Sequence, residues 1–585
     1  MKSAFIVLSQ RLLLILVAAV VQPVLAQHDD GFAIVGVDVI PMDTERMLEN
    51  QVVIVEGGVI QSIGDAIATT IPDGIRQIDG TDRYLMPGLA DLHIHLRNED
   101  ELANYVAWGV TTVMHLGGSG QAGLQQLRYR DEIRSGERLG PNLYTTDRIL
   151  DGDPAIASGA HRITSEADAR SIVRKLKADG FDFVKIYNNV SRPVFDAIVD
   201  EAGMQGLPVI GHIPRNFDPL IALSSGLNAV AHSEELFFTY FGGPRSTENM
   251  VRSYEPDLDK IPVLIEVLEA NDVALMPDLC FTFGNLLMWD SLDHLWGDPE
   301  FPFLHPDTAS MWKGGNINRR SQIENHILRD QWKYNLLQRL TLAFQEAGIL
   351  QVIGTDASLP GLFPGKAVHR ELTEFVKAGL SNFEALSIGS RNAGEFVRRY
   401  IDEDARFGQV LPGYRADVVL LAENPLDDVR NARTVTGVAV NGRFISKSEI
   451  DSRRAEFHRR YGALYALMDE VDAALESPQA GTRLQSLVTT HRGESEAENT
   501  IESRVNAAGY AAGFAGDLDR AKDLLEINTE LFPDSANTWD SLAEVTLYLG
   551  DKERAVELYR KALEVDPGFV NAAEKIEAIQ RDAGR

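Results

Sequence analysis

Short apolar runs separated by turn residues flank a long middle region of this chain. Residues 31–86 carry the runs "FAIVGVDVI" and "QVVIVEGGVIQSIG", and residues 406–445 carry "ADVVLLAENP" and "VTGVAVNGRFI". Apolar runs of this length, bounded by Gly, Pro and Asn, are typical of antiparallel strands. The two flanks therefore predict one small β-domain that is assembled from both sides of the middle region.

Strand-like apolar runs alternate with helical patterns through the middle region, residues 87–405. Eight candidate strands lie at 89–95, 110–116, 142–149, 182–188, 207–213, 228–233, 273–278 and 350–356. Helical periodicity is clearest between them at 166–179, 194–205 and 261–270. This alternation predicts an α/β fold with a parallel sheet, and eight units favour closure into a TIM-like (β/α)8 barrel.

A long interval, residues 279–349, separates the last two candidate strands. It begins with a segment rich in Trp, Gly, Pro and Asn, "FGNLLMWDSLDHLWGDPEFPFLHP". This composition predicts a loop, which we interpret as a lid over a site. A helical pattern follows it from residue 317.

The C-terminal part, residues 501–585, contains a repeat. Gly516 and Asp517 return as Gly550 and Asp551, with an offset of 34 residues. The period and the pattern resemble tetratricopeptide repeats, which are helix pairs that stack side by side. Residues 446–500, helical and then polar, are predicted to be a helical linker. We expect the α-helical repeats to bind a protein partner or to mediate self-association.

The first 26 residues have the pattern of a secretory signal peptide. Lys2 and Arg11 precede the apolar run "LLLILVAAVV", and the small residues of "VLA" end at Ala26. This arrangement predicts cleavage after Ala26 and a periplasmic or secreted protein. The alternative is an uncleaved membrane anchor, although the apolar run is shorter than a typical span. No stable membrane span is expected in the mature chain.

The chain carries a large excess of acidic residues. With 86 Asp and Glu against 56 Lys and Arg, its formal net charge is −30. A protein of this charge repels nucleic acid and anionic membrane surfaces, so neither is an expected partner. Cys280 is the single cysteine of the sequence, which excludes an internal disulfide.

Six side chains of ligand-type chemistry stand one by one at the ends of candidate strands. They are His93, His95, Lys185, His212, His232 and Asp356. Imidazole and carboxylate are common ligands of catalytic divalent metals, and barrel enzymes gather their active sites at the carboxyl ends of the strands. The pattern predicts a metal-dependent hydrolase in which Asp356 also accepts a proton from water and passes it to the leaving group.

These residues carry a resemblance to a known family. The motif "PGLADLHIH" at 87–95, the later single histidines and "GTDAS" at 354–358 resemble the amidohydrolase superfamily. The resemblance covers 31–445 and is strongest to the branch of prolidase-like and imidazolonepropionase-like enzymes. It implies a (β/α)8 barrel, residues 87–405, that carries a small β-sandwich formed by 31–86 and 406–445.

The resemblance to the prolidase-like branch implies two divalent ions. One would be held by His93, His95 and Asp356, and the other by His212 and His232. Zinc is the expected metal, although manganese, cobalt and iron also suit these ligands.

Lys185 decides the number of ions. In the prolidase-like branch, a lysine in "VKI" at the end of the fourth strand carries CO₂ as a carbamate and bridges two metals, which implies N-carboxylation of Lys185. The alternative is a lysine that is buried or snorkels at a strand end.

Two further residues are candidates for substrate contact. His161 matches the loop in which the prolidase-like branch places a substrate-contacting histidine, and Tyr240, which follows a metal-ligand strand, is a candidate for binding a substrate carboxylate. The alternatives are an ordinary surface histidine and a packing tyrosine.

The leading functional hypothesis is hydrolysis of a C–N amide bond in a small substrate, such as a dipeptide or an N-acyl amino acid with a free carboxylate. Two alternatives stay open. One is a mononuclear cyclic-amidine hydrolase or deaminase, similar to imidazolonepropionase. The other is a binding protein in which the repeats recruit a partner and the barrel is an inactive scaffold.

Overall fold

The chain forms a flank sheet, a middle region of parallel strands and a helical C-terminal segment. The computed structural model describes residues 31–118, 122–156, 159–245, 253–290, 293–317 and 323–583. The predicted signal peptide, residues 1–26, lies outside the described residues. Among the described helices, none combines the length and the apolar character needed to cross a bilayer. Strands and helices are numbered β1–β17 and α1–α21 along the chain.

Both flanks contribute to one eight-stranded sheet. Its strands are β1 (Phe32–Val39), β2 (Leu48–Glu56), β3 (Val59–Asp65), β4 (Arg76–Asp79), β5 (Tyr84–Pro87), β15 (Val418–Leu421), β16 (Val435–Val440) and β17 (Arg443–Ser446). They follow the order β17-β16-β15-β5-β1-β2-β3, and β4 pairs with β1. Phe32, Leu85 and Val418 pack in its buried core. The antiparallel pairing of β5 with β15 brings the two ends of the middle region together.

The middle region contains two parallel sheets. The first has the order β6-β7-β8 and the second the order β10-β9-β11-β12-β13-β14. Their strands are β6 (Leu89–Ile94), β7 (Val110–His115), β8 (Asn142–Thr145), β9 (Leu150–Asp151), β10 (His161–Arg162), β11 (Val184–Ile186), β12 (Val209–Gly211), β13 (Ala229–Val230) and β14 (Ala274–Leu275). Every residue of β6, β7, β11 and β12 is buried, as expected for parallel strands covered by helices.

The predicted closure into one eight-stranded barrel does not appear as a continuous ladder in the described residues. The eighth candidate strand, 350–356, makes one isolated bridge, to β14 at Gln351, and Ala357 just beyond it makes another to β6. Its last residue, Asp356, adopts a left-handed backbone conformation with a φ of 59°, which does not continue an extended strand. The other gap lies between β8 of the first sheet and β11 of the second. There the Thr145 N–H donates to the side-chain carboxylate of Asp182 (2.8 Å) and not to a backbone carbonyl of a neighbouring strand.

Helices cover the parallel strands. They are α1 (Asp100–Ala107), α2 (Ala122–Arg134), α3 (Glu166–Asp179), α4 (Arg192–Gln205), α5 (Pro219–Ser224), α6 (Glu234–Thr239), α7 (Ile261–Ala270), α12 (Lys366–Ala378), α13 (Asn382–Ile388) and α14 (Arg391–Tyr400). The sequence sets the ends of α3 locally. The Ser165 side chain accepts the Asp168 N–H (3.1 Å) at its start, and Gly180 ends it with a φ of 87°, a conformation that glycine adopts without steric cost.

The interval before the eighth candidate strand is helical, which corrects the loop predicted from residue 279. Its helices are α8 (Leu279–Asp290), α9 (Asp293–Trp296), α10 (Pro306–Ile317) and α11 (Ile323–Glu346). Trp312 packs with Phe363 in a buried apolar cluster, and its indole N–H donates to the Ser358 carbonyl (3.0 Å). Trp296 and Phe301, which lie in the segment predicted as a loop, pack against the same buried cluster beside the segment that carries Asp356.

The C-terminal segment is built from helices. They are α15 (Lys447–Leu475), α16 (Ala480–Thr490), α17 (Ser495–Phe514), α18 (Leu518–Leu531), α19 (Ala536–Tyr548), α20 (Lys552–Val565) and α21 (Val570–Ala583). The helices α18 and α20 begin 34 residues apart, and Asp517 and Asp551 each accept a backbone N–H in the first turn. The assignment to tetratricopeptide repeats stays a prediction. An ion pair between Arg454 and Glu300 (2.7 Å) joins α15 to the helical interval.

Candidate metal centre

The parallel strands carry the six predicted ligand residues to one edge of the sheets. His93 lies near the end of β6 and His95 directly follows it; Lys185 lies in β11; His212 and His232 follow β12 and β13; and Asp356 precedes the bridge to β6. Five of these residues are buried, and the His95 side chain is 22% exposed. Carboxyl ends of parallel strands converge at one edge, which explains why residues distant in sequence meet here.

Three of these residues form a compact group. His93, His232 and Asp356 each offer one ligand atom, and these atoms lie within 4.8 Å of one another. The Asp356 carboxylate lies 3.4 Å from Nε2 of His93 and 3.7 Å from Nε2 of His232. His95 approaches the same carboxylate, with its Nε2 3.0 Å from Oδ1. The carboxylate of Asp356 is therefore the point on which three imidazoles converge.

The backbone fixes Asp356 in this position. Its N–H donates to the His93 carbonyl (2.8 Å), and the preceding residue, Thr355, is held by the buried carboxylate of Asp91. That carboxylate accepts the Thr355 N–H (3.0 Å) and its hydroxyl (2.6 Å). Asp91 belongs to the motif "PGLADLHIH", so this residue ties the end of the middle region to its beginning.

The four predicted histidine ligands share one orientation. In each, Nδ1 faces an oxygen: the Ala231 carbonyl for His93 (3.1 Å) and the Gly117 carbonyl for His95 (2.7 Å). For His232 the partner is the Asp278 carboxylate, at 2.6 Å. For His212 the partners are Asn188, at 2.9 Å, and Glu235, at 3.0 Å. An Nδ1–H donated to oxygen leaves the lone pair on Nε2, which is the arrangement of histidines that bind metals.

This orientation places electron-rich atoms close together. With Nδ1 as the donor, Nε2 of His93 and Nε2 of His95 face a carboxylate oxygen of Asp356 without a hydrogen between them. Burial lowers the pKa of His93 well below its ordinary value, and the nearby Lys185 charge acts in the same direction. A neutral imidazole at His93 that faces the carboxylate of Asp356 favours a bound cation.

His212 borders this group. Its ring centroid lies 4.8 Å from that of His232, and burial lowers its pKa to about 3. Its partner Glu235 is fully buried and also accepts two hydrogen bonds from Arg215, at 2.7 and 3.2 Å. Although burial opposes ionisation, His212 and Arg215 lower the pKa of Glu235 to about 2. His212 is therefore a neutral imidazole held in place by an ionised carboxylate.

Lys185 lies beside the histidines without a hydrogen bond. Its side chain is buried, and in the described part of the chain no partner bonds to its Nζ. Burial lowers the pKa of Lys185 to about 7, while the charge of Asp356 opposes the shift. A substantial fraction of this amine is uncharged at neutral pH, unlike an exposed lysine.

Sequence reasoning missed the carboxylates behind the ligands. Asp278 is the last residue of the seventh candidate strand, 273–278, so a search for carboxylates at strand ends would have found it. Glu371 gave no such signal; it lies in α12 and accepts the N–H groups of Leu279 (3.0 Å) and Cys280 (2.5 Å). Burial raises the pKa of Glu371 to about 8. Its hydrogen bonds orient the segment that presents Asp278 to His232.

Replacing Asp278 with Asn should weaken metal binding by about 10- to 100-fold, the usual effect of removing a carboxylate behind a histidine ligand. The amide keeps the size of the side chain but removes the charge that orients the His232 ring. Metal titration under competition with a chelator measures the effect. Asp257→Asn, at an exposed position outside the centre, is the control, and equal affinities for the two variants would contradict the role of Asp278.

The two predicted substrate contacts are engaged elsewhere in the protein. His161 in β10 lies 3.2 Å from the Asp147 carboxylate and 2.7 Å from the Arg148 guanidinium. The Tyr240 hydroxyl donates to the Lys260 carbonyl (3.1 Å). These contacts do not join either residue to a predicted ligand, so their roles in substrate binding stay predictions.

Comparison with solved structures identifies the fold. The chain resembles a protein assigned as a prolidase from Bifidobacterium longum, with a TM-score of 0.55 and 22% identity over 74% of this chain and 99% of the other. It resembles a bottromycin amidohydrolase with a TM-score of 0.59 and 21% identity, over 75% of this chain and 93% of the amidohydrolase. It also resembles an Xaa-Pro dipeptidase with bound methionine. For this structure the TM-score is 0.51 and the identity is 17%, over 71% of this chain and 100% of the dipeptidase.

Comparison of sequences gives less information than the comparison of structures. No family model matches the chain. A dihydroorotase of Trichlorobacter lovleyi is 44% identical over 46 residues, which are 8% of this chain and 10% of the dihydroorotase. The matched stretch is thus about a tenth of that relative's length. The structural likenesses confirm the predicted resemblance at the level of fold alone: the described part of the chain shares the fold of these prolidase, amidohydrolase and dipeptidase structures.

Proposed function

We propose that this protein is a metal-dependent hydrolase of the amidohydrolase type that cleaves a C–N amide bond in a dipeptide or an N-acyl amino acid. The observation that carries the proposal is the common orientation of four histidines. Each directs its Nδ1 at an oxygen partner, so that each keeps its Nε2 lone pair for a metal. An inactive scaffold has no need for four such histidines beside an aspartate.

The residues fit a divalent cation. Nε2 of His93 and Oδ1 of Asp356 are buried and have no hydrogen-bond partner among the described residues, a costly state for polar atoms unless a ligand compensates. A bound divalent ion lowers the pKa of water towards about 7 and polarises a carbonyl oxygen. His93, His95 and Asp356 are the residues that would hold this first ion.

Asp356 has the properties of the proton carrier. It is ionised and lies between the imidazoles, so it can accept a proton at Oδ2, the oxygen that faces His232 at 3.7 Å. The same proton is then available for the nitrogen of the leaving amine. Proton transfer by a positioned carboxylate usually contributes about 10²- to 10⁴-fold to a rate.

Lys185 supports a second ion in this proposal. Its uncharged amine can add to CO₂ and lose a proton, and the product is a carbamate anion with two oxygen ligands. His212, with its Nδ1 already engaged, and His232 would hold the second ion together with this carbamate. The alternative with one ion, in a cyclic-amidine hydrolase or deaminase, leaves Lys185 uncarboxylated.

The structural neighbours favour a substrate related to an amino acid. One neighbour is an Xaa-Pro dipeptidase with methionine in its active site, and another is assigned as a prolidase. Arg215 extends from the loop after His212 and is 23% exposed, so its guanidinium is a candidate partner for a substrate carboxylate.

The experiment is a hydrolysis screen with metal analysis on the same sample. We expect free amino acids to be released from dipeptides or N-acyl amino acids, and we expect a chelator to reduce the rate by at least about 100-fold. Added zinc or manganese should restore it. Release of ammonia from heterocyclic amines would instead indicate the deaminase alternative. Full activity in a sample without divalent ions, or inactivity of the metal-loaded protein on every substrate, would refute the proposal.

A further inference from the structure

A cavity lies on the outer side of α12, apart from the candidate metal centre. Its volume is about 250 Å³, and none of the six predicted metal ligands lines it. Trp108, Phe283 and Phe363 contribute aromatic walls, and α12 contributes its polar face. An apolar cavity of about 150 Å³ accommodates a benzene molecule, so this cavity has room for a substituted aromatic ring.

The cavity is strongly cationic. Lys366, Arg370, Lys377 and Arg433 line it, against a single lining carboxylate, Glu374. Such a concentration of positive charge is unexpected in a chain whose formal net charge is −30. Walls of low polarity around these charges strengthen their attraction for an anion.

Two of these cations are already neutralised within the protein. Lys366 contacts both carboxylate oxygens of Asp298, at 2.5 and 2.6 Å, and Lys377 contacts Glu374 at 2.8 Å. Glu374 also accepts the hydroxyl of Tyr334, so its charge is fully engaged.

The two arginines are different. Arg370 donates to the Gly361 carbonyl (3.1 Å), and Arg433 is exposed. Across the described residues, neither has a carboxylate within ion-pair distance. Guanidinium groups bind carboxylates in a bidentate geometry, so these two arginines are available to bind an anionic ligand.

His369 contributes a neutral imidazole to the wall of the cavity. Its Nε2–H donates to the Trp108 carbonyl (2.8 Å), and its buried Nδ1 has no partner among the described residues. Burial lowers the pKa of His369 to about 4, so the ring is neutral and Nδ1 is an acceptor. The residue is 8% exposed and lines the cavity.

We infer that this cavity is a binding site for a small aromatic carboxylate. The carboxylate pairs with Arg370 and Arg433, and the ring packs against the aromatic walls. This site is independent of the proposed hydrolysis, because its lining residues are not the predicted metal ligands.

The test is calorimetric titration of the full-length, metal-loaded protein with 4-hydroxybenzoate. We expect saturable binding of one molecule per chain, with a dissociation constant of about 1 mM or tighter, as is usual for a ligand of this size. Benzamide, which lacks the charge, and inorganic phosphate, which lacks the ring, should each bind at least about 10-fold more weakly.

Two variants locate the site. Arg433→Gln changes an exposed residue and should fold normally, and Arg370→Gln removes the second guanidinium; each should weaken binding by about 10-fold. Arg492→Gln, exposed in the loop after α16, is the matched control and should bind normally. The inference is overturned if 4-hydroxybenzoate does not bind, if both arginine variants bind it normally, or if only metal removal abolishes binding. Equal binding of phosphate or benzamide would also overturn it.

Discussion

Replacing Asp356 with Asn is expected to reduce turnover by about 10²- to 10⁴-fold, the range that a positioned proton-transfer group contributes. The asparagine amide has nearly the same shape, but it cannot accept the proton and binds a cation weakly. The amide group can donate to the Nε2 lone pairs of His93 and His95, which lie 3.4 and 3.0 Å from the present carboxylate oxygen. The metal-free variant should therefore be at least as stable as the metal-free parent.

Steady-state kinetics and thermal unfolding, each with and without metal, measure these effects. The matched control is Asp73→Asn, which removes the same charge at an exposed position of the flank sheet domain. It should retain parental turnover and metal content. If Asp356→Asn keeps turnover within about threefold of the parent, far less than the loss expected of a catalytic carboxylate, Asp356 does not carry the proton.

Replacing Lys185 with Ala is expected to reduce the metal content from two ions to one or none and to lower turnover by at least about 100-fold. In the proposed centre with two ions, a carbamate on Lys185 would supply oxygen ligands to both ions, and alanine supplies none. Lys185→Met is the companion variant, because methionine fills most of the space of the lysine and limits the cavity left in the core. Both variants should lose the second ion.

Metal analysis after gel filtration, together with kinetics on the same preparation, measures both effects. Lys175→Ala, at a side chain 67% exposed in α3, is the control and should behave as the parent does. Removal of dissolved CO₂ before metal loading should reproduce the Lys185 defect in the unmodified protein. Two ions and normal turnover in both Lys185 variants would refute the bridging role and favour the mononuclear alternative.

The difference between the predicted and observed middle region has a local cause. Apolar periodicity predicted the strands before Asp356 well, because each is a buried run of β-branched and small residues such as β7. The same criterion extended the eighth strand through Asp356, whose left-handed backbone is invisible in the pattern. Likewise, the Trp, Gly, Pro and Asn content after Asp278 suggested a loop, whereas Trp296 and Phe301 of that segment pack against a buried apolar cluster that stabilises helices.

The sequence alone determined where ligand-type side chains stand and the supersecondary plan. Ligand-type side chains stood at the ends of apolar runs, and parallel strands necessarily present such ends at one edge. Only the tertiary structure decided which nitrogen of each histidine is available. That choice depends on partners distant in sequence, such as Ala231 for His93 and Asp278 for His232. Tertiary structure also decided the low pKa of Lys185, since burial rather than residue type removes its charge.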